Sequence, residues 1–360
     1  MTTQPAVVQF DLRPLAVELR EIPIPDIDDD HVLLEVGAVS VCGSDVHQMW
    51  NTHSWTVNIP VVLGHEFCGT VARAGRSVRD FKEGDRVVSE TAAVICGDCL
   101  MCRTARYNLC PSRKGFGYGV NGAMAQWVRV PGRCLHHIPD ALPFEIACLA
   151  EPHSVAYQAM CVNSRIRPGD AVVVLGPGPI GLLCARMAAL AGADPLIVAG
   201  RTADAARLQT ARALGATHVV DVQTEDLDAI IRDLTPIGAD LVCDATGASH
   251  PLGVSFRIVR PDGQVTKVGW SPDDVSIDMN PLVLKNVRLQ GSFSHNYPVW
   301  ERVVHLLAQG STMPERIIGL RASLDGWRGA FDAMHDGRVI KSVLLPREAA
   351  STAAPVTAST

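Results

Sequence analysis

Three groups of side chains in this chain have types and spacings that could do chemistry. Cys96, Cys99, Cys102 and Cys110 follow a C-x2-C-x2-C-x7-C pattern in a loop that also holds Gly97, Asp98 and Asn108. Four thiolates on so short a segment can close a tetrahedron around zinc, with metal–sulfur distances of about 2.3 Å. A shell of four sulfurs leaves no position for a substrate, so the expected role is structural. An iron–sulfur cluster or unconnected thiols are the competing readings.

The second group is mixed. Cys42 lies in Val41-Cys42-Gly43-Ser44-Asp45-Val46-His47, His65 and Glu66 lie in Gly64-His65-Glu66-Phe67, and Glu151 lies in Ala150-Glu151-Pro152. One thiolate, one imidazole and one or two carboxylates leave a coordination position open, as in a catalytic zinc site. Zinc lowers the pKa of a bound hydroxyl, to about 7 for water, so an alcohol held there loses its proton at neutral pH and can release hydride. Ser44 and His47 are suited to carry that proton away. Taken alone, a buried cysteine reads as core and a lone histidine as a structural hydrogen-bonding group. The reading rests on their conjunction with the other two groups.

The third group is Gly176-Pro177-Gly178-Pro179-Ile180-Gly181, a G-x-G-x-x-G turn between an apolar strand and a helix. Gly176 permits the turn, Gly178 lets the backbone approach a pyrophosphate, and Gly181 lets helix pack on strand. The helix N-terminus then faces the phosphates. Thr246 and Lys341 are expected to complete the dinucleotide contacts. An acidic residue about 20 positions on would read the ribose hydroxyl of NAD. Gly200, Arg201 and Thr202 stand there instead, leaving space and positive charge for a 2′-phosphate, so NADP is favoured over NAD. The competing reading is that Arg201 points to solvent.

These groups need elements to hold them. Residues 31–36, 68–74 and 86–88 are short apolar runs set between turns, a β-rich texture across the first 150 or so positions. From residue 167 to 291 the pattern changes. Strands are expected at 171–175, 196–199, 218–220, 241–244, 263–268 and 287–291, and helices at 180–191 and 203–214. Strands alternating with helices imply a parallel, doubly wound α/β sheet. Helices at 298–308 and 325–335 and a strand at 342–345 are expected to rejoin the first region, and residues 351–360 to form a frayed tail.

The length of 360 residues suggests two domains. Hydrophobic residues at 47% and charged residues at 19% suit globular folding. A net charge of −6 provides no basic field for nucleic acid and no polybasic patch for lipid, so a small molecule is the expected partner. Residues 1–11 show no basic patch followed by an apolar core. The apolar region at 171–200 is broken by Gly176, Pro177, Gly178, Pro179, Arg186 and Asp194, unlike a membrane span of about 20 apolar residues. The expectation is a cytoplasmic protein without membrane contact. In that compartment thiols stay reduced, and the 11 cysteines point to metal rather than disulfides.

With Gly64-His65-Glu66, the four-cysteine loop, Gly84-Asp85-Arg86-Val87, Gly176–Gly181 and Lys341, nearly the whole chain resembles the zinc-containing medium-chain dehydrogenases, which include alcohol, sorbitol and threonine dehydrogenases. The resemblance implies a GroES-like, β-rich catalytic domain at 1–153 and 292–360. It also implies a Rossmann domain at 154–291, with the active-site cleft between the two. It matches Cys42, His65 and Glu66 to catalytic zinc ligands, and Glu151 to a glutamate that binds the zinc or its water. Ser44 and His47 match the family's proton relay, and Gly200 with Arg201 resembles NADP-using members. A homodimer or homotetramer is implied. Sorbitol-type enzymes carry an arginine near the segment that here reads Gly291-Ser292-Phe293-Ser294-His295-Asn296-Tyr297, and its absence argues against sorbitol itself. Residues 49–55, with Phe116 and Tyr118, could offer aromatic surface to substrate or pack into the fold.

The expected activity is reversible oxidation of a secondary alcohol, of polyol, sugar-derived or cyclic kind, to a ketone with NAD(P). A threonine-type amino-alcohol substrate is the near alternative. A non-catalytic, zinc-stabilised nucleotide-binding protein would lack the open metal set, and a zinc-free quinone reductase would lack both sets.

Overall fold

A computed structural model of the chain describes residues 2–270 and 274–347. The expected tail at 351–360 lies outside the described residues. The chain divides into two units, Met1–Glu151 with His295–Thr360, and Pro152–Ser294.

In the second unit six parallel strands form one sheet. Its order is His218–Asp221, Leu196–Gly200, Val172–Leu175, Ala239–Asp244, Val259–Lys267 and Arg288–Gly291. The central strand Val172–Leu175 is buried along its whole length, as a parallel strand covered on both faces must be. This is the doubly wound Rossmann arrangement. The strand expected at 263–268 instead begins at Val259, running through Pro261 and Gly263. Those residues read as breakers in the sequence, but the pairing shifts register between Ala239 and Leu241 and so absorbs them. Helices Leu227–Leu234 and His250–Ile258 also belong to this unit. The first starts where Asp226 caps the backbone N–H of Ala229.

The first unit is built around the strand His31–Ser40, which pairs with Glu66–Ala74, Trp127–Pro131 and Lys341–Leu345, each antiparallel. Its burial alternates as far as Gly37 and then turns continuous at Ala38–Ser40, where neighbours cover both faces. Register does the positioning. Ser40 pairs with Glu66 on one side and with Val343 on the other, and the Val41 N–H donates to the Ser342 carbonyl at 2.9 Å. Cys42 therefore leaves the sheet between Glu66 and Lys341, although some 300 residues of chain separate it from the latter. No helix among the described residues is long and apolar enough to cross a membrane.

Candidate active site

Cys42, His65 and Glu66 offer ligand atoms that all lie within 4.8 Å of one another. Cys42 sits at the start of the helix Gly43–Trp50, and Asp45 in the first turn of that helix accepts the Cys42 N–H at 2.9 Å and the Gly64 N–H at 3.4 Å. Asp45 thus ties the cysteine loop to the histidine strand. Its Oδ1 also lies 3.6 Å from His65 Nδ1, and its side chain is buried. Burial alone would lower the pKa of His65, but Asp45 and the Cys42 thiol raise it well above the ordinary imidazole range. A buried pocket that sets an acidic side chain and a thiol against its histidine suits a cation. The S, N and O donors fit zinc. Metal binding would displace the His65 proton.

Glu66 is fully buried and is held by Lys341, whose Nζ donates to Glu66 Oε1 at 2.7 Å and to the Val41 carbonyl at 2.8 Å. The Ser40 hydroxyl donates to the same carboxylate. The Lys341 ammonium, expected from the sequence to contact the cofactor, is buried within the first unit, and its bonds go to Glu66 and Val41. Burial lowers the Lys341 pKa, but Glu66, the Cys42 thiol and Glu151 outweigh that and keep it charged.

Glu151 lies outside the 4.8 Å group. Its Oε1 lies 3.0 Å from His295 Nε2, and His295 Nδ1 accepts the indole N–H of Trp300 at 2.6 Å. Burial raises the Glu151 pKa, while the His295 hydrogen bond and the charges of His65 and Lys341 together bring it below the usual carboxylate range. The sequence held no signal for His295 or Trp300 as partners of Glu151. Asp45 was available, three residues after Cys42 at a helix start.

Ser44 and His47, the expected relay groups, both lie in the helix Gly43–Trp50. His47 Nδ1 lies 2.7 Å from the hydroxyl of the exposed Thr52, and burial with neighbouring His335 and His53 lowers its pKa. Of the aromatic candidates, Phe116 is core, packed edge-on against Phe67 at 5.2 Å, and so is not substrate surface. Trp50 stacks on His335 at 4.3 Å, and the Trp55 indole donates to Gln48 at 3.2 Å.

The cysteine loop brings Cys96, Cys99, Cys102 and Cys110 into a second group within 4.8 Å. The Cys96 sulfur lies 3.9 Å from that of Cys102 and 3.6 Å from that of Cys110. A zinc tetrahedron with arms of about 2.3 Å requires sulfurs about 3.8 Å apart. A disulfide would hold them at about 2 Å, and a multi-iron cluster would spread them wider. Backbone N–H groups of Cys96, Cys99 and Cys102 point at sulfurs at 3.4 Å. The first of these lowers the pKa of Cys110 to about 7.

In the second unit Gly176 has φ +91°, and a Cβ on Gly181 would stand 1.9 Å from the Gly176 carbonyl oxygen. Only glycine fits there. Gly178 has open space around it and precedes Pro179 and Ile180 at the start of the helix Pro179–Leu190, which no side chain caps. The uncapped N–H groups suit a pyrophosphate. Thr246 lies against Gly176, and its N–H and hydroxyl bond Asp244 at 2.9 and 2.7 Å. Gly200 ends its strand. The Arg201 side chain is 71% exposed, with Nε 3.5 Å from Asp204. Thr202 does not offer a free hydroxyl, because it donates to Asp221 at 2.6 Å. Asp221 is a carboxylate opposite Gly200 in the next strand, so it could be found only once the register was known.

Residues 28–140 match the family model of the alcohol dehydrogenase GroES-like domain, and residues 179–309 match that of the zinc-binding dehydrogenases. The chain is 38% identical to the D-arabitol-phosphate dehydrogenase of Enterococcus avium, over 90% of this chain and 92% of that one. It is 34% identical to the sorbitol dehydrogenase of Halalkalibacterium halodurans, over 91% and 95%. A zinc-binding dehydrogenase from Sinorhizobium meliloti, solved with NADP bound, superposes with a TM-score of 0.88 at 30% identity, covering 96% of this chain and 100% of that chain.

Proposed function

The chain belongs to the zinc-dependent medium-chain dehydrogenase family, and from that premise we propose that it oxidises the secondary alcohol of a polyol or polyol phosphate to a ketone, reversibly, with NAD(P). The observation that carries this is the convergence of Cys42 with the adjacent His65 and Glu66, from two separate segments, within 4.8 Å. Zinc bound by these residues supplies Lewis acidity, which eases loss of the substrate's hydroxyl proton. The chain's own groups do the rest. Asp45 holds the Cys42 loop and His65 together, and Lys341 with Ser40 holds Glu66. Ser44 and His47 are the groups suited to carry the released proton outward, His47 by way of the exposed Thr52, whose hydroxyl lies 2.7 Å from its Nδ1.

We infer two zinc ions per chain, one in the open set and one in the four-cysteine loop. NADP is favoured by Gly200 and by the exposed Arg201, while Asp221 opposite Gly200 favours NAD. A homodimer is supported by the edge strand Arg288–Gly291, next to Val283 and Leu284, which are 80% and 86% exposed. We place the enzyme in the cytoplasm. The test is a screen of polyols, polyol phosphates, cyclic alcohols and threonine with both cofactors, read as nicotinamide absorbance, alongside metal analysis. Cys42→Ser is expected to keep the fold and the loop zinc but lose turnover. Retained turnover, or activity confined to threonine, overturns the proposal.

A further inference from the structure

We propose that His295 is the positioning residue for Glu151, and that the four-cysteine lobe holds His295 in place. The inference rests on the reading of Glu151 as part of the open zinc site.

An indole N–H is a donor only, so the ring nitrogen that Trp300 meets at 2.6 Å, His295 Nδ1, has to accept. The imidazole proton is then confined to Nε2, which donates to Glu151 Oε1 at 3.0 Å. Trp300 thereby selects the one neutral tautomer that can hold the carboxylate. Trp300 and His295 are each 1% exposed, and their rings meet edge to face at 5.0 Å, so water cannot replace either bond and the imidazole cannot flip freely. The chain ends at an indole nitrogen, which does not relay protons, so this arrangement orients Glu151 rather than draining it.

His295 is held from the other side by the cysteine lobe. Asn296 donates to the Ala105 carbonyl at 2.9 Å, and the Tyr297 N–H donates to the Tyr107 hydroxyl at 2.6 Å. Ala105 and Tyr107 lie between Cys102 and Cys110, inside the metal loop. The Tyr107 hydroxyl in turn donates to the buried Glu90 at 2.7 Å. His136 stands between Glu90, at 3.2 Å, and Glu301, at 2.5 Å, and its ring stacks on Trp300 at 5.6 Å with an interplanar angle of 10°. The loop therefore touches both the residue after His295 and the support beneath Trp300. A lobe with four thiolates closed on a metal is rigid, and that rigidity is passed to the segment carrying His295.

The test compares His295→Leu, His295→Gln, Trp300→Phe, Tyr107→Phe and Glu151→Gln in the full-length zinc enzyme. The readouts are kcat, KM for alcohol and cofactor, zinc retention against a chelator, and the visible spectrum after cobalt replaces zinc in the open site. His295→Leu should lower kcat or zinc retention about 10- to 100-fold, leave the cofactor KM unchanged and shift the cobalt spectrum. His295→Gln should recover most of the loss, since its amide can both accept from Trp300 and donate to Glu151. Trp300→Phe removes the N–H while keeping an aromatic side chain in the core, so it should give the same spectral shift in a folded protein. Tyr107→Phe leaves all four cysteines in place and should give a smaller shift in the same direction. If Glu151→Gln matters while His295→Leu and Trp300→Phe leave kcat and the spectrum unchanged, the positioning role is overturned. If Glu151→Gln itself changes nothing, the reading of Glu151 as part of the zinc site falls, and the positioning role with it. If His295→Leu and Trp300→Phe shift the spectrum but Tyr107→Phe does not, the hold by the lobe is refuted.

Discussion

Replacing Lys341 with Met tests how the buried charges of the site are balanced. The Lys341 and Glu66 side chains are 1% and 0% exposed, and among the described residues the ammonium is the one cationic side chain bonded to Glu66. Met preserves the length of the stem, so packing changes little and the perturbation is chiefly electrostatic. Without the ammonium, the partner left to Glu66 among the described residues is the Ser40 hydroxyl, and the Val41 carbonyl loses its Lys341 partner. Removing one member of a buried ion pair costs about 3–5 kcal/mol. In a unit of this size that corresponds to a Tm lower by about 6–20 °C. Urea denaturation followed by tryptophan fluorescence is a suitable assay, because Trp270 is the only one of the six tryptophans outside the first unit. The metal-free protein should lose more stability than the zinc-loaded one, since a bound cation takes over part of the ammonium's role. Lys341→Met combined with Glu66→Gln should be less destabilised than Lys341→Met alone, with a coupling of about 0.5–3 kcal/mol. A loss below about 1 kcal/mol, with an intact fold and a raised KM for cofactor, would refute this account and return Lys341 to a cofactor-binding role.

Asp45→Ala should cost the open site about 10- to 100-fold in metal affinity, because it frees both the Cys42 loop and His65; chelator competition that finds unchanged affinity would contradict this. Arg201→Ala should weaken NADP binding about 10- to 100-fold, as expected for lost hydrogen bonds to a charged group, with little effect on NAD. Equal effects on both cofactors in a fluorescence titration would remove the case for NADP. Gly181→Ala places a methyl group 1.9 Å from the Gly176 carbonyl oxygen, so the turn has to deform. NADPH titration should find binding lost, and an unaltered Kd would show that the turn does not hold the pyrophosphate.

The chemistry legible in the sequence is the chemistry carried at short range. The four cysteines span only 15 positions, and the glycine turn only six, so spacing alone specifies which backbone and sulfur atoms can meet. The parallel sheet was legible for a similar reason. Strand and helix periods alternate along the chain, and fully buried strands read as unbroken apolar runs. Arg260-Pro261-Asp262-Gly263 misled because a bulge, which depends on the neighbouring strand, let the strand continue through residues that usually end one. Tertiary structure alone decided how the charges pair. Lys341 meets Glu66 across 275 positions and His295 meets Glu151 across 144. In a sequence, a single lysine or histidine carries no mark of burial. A charged or polar group is tolerated inside a protein only where a partner is brought to it, and that partner is supplied by strand register and chain return rather than by its neighbours along the chain.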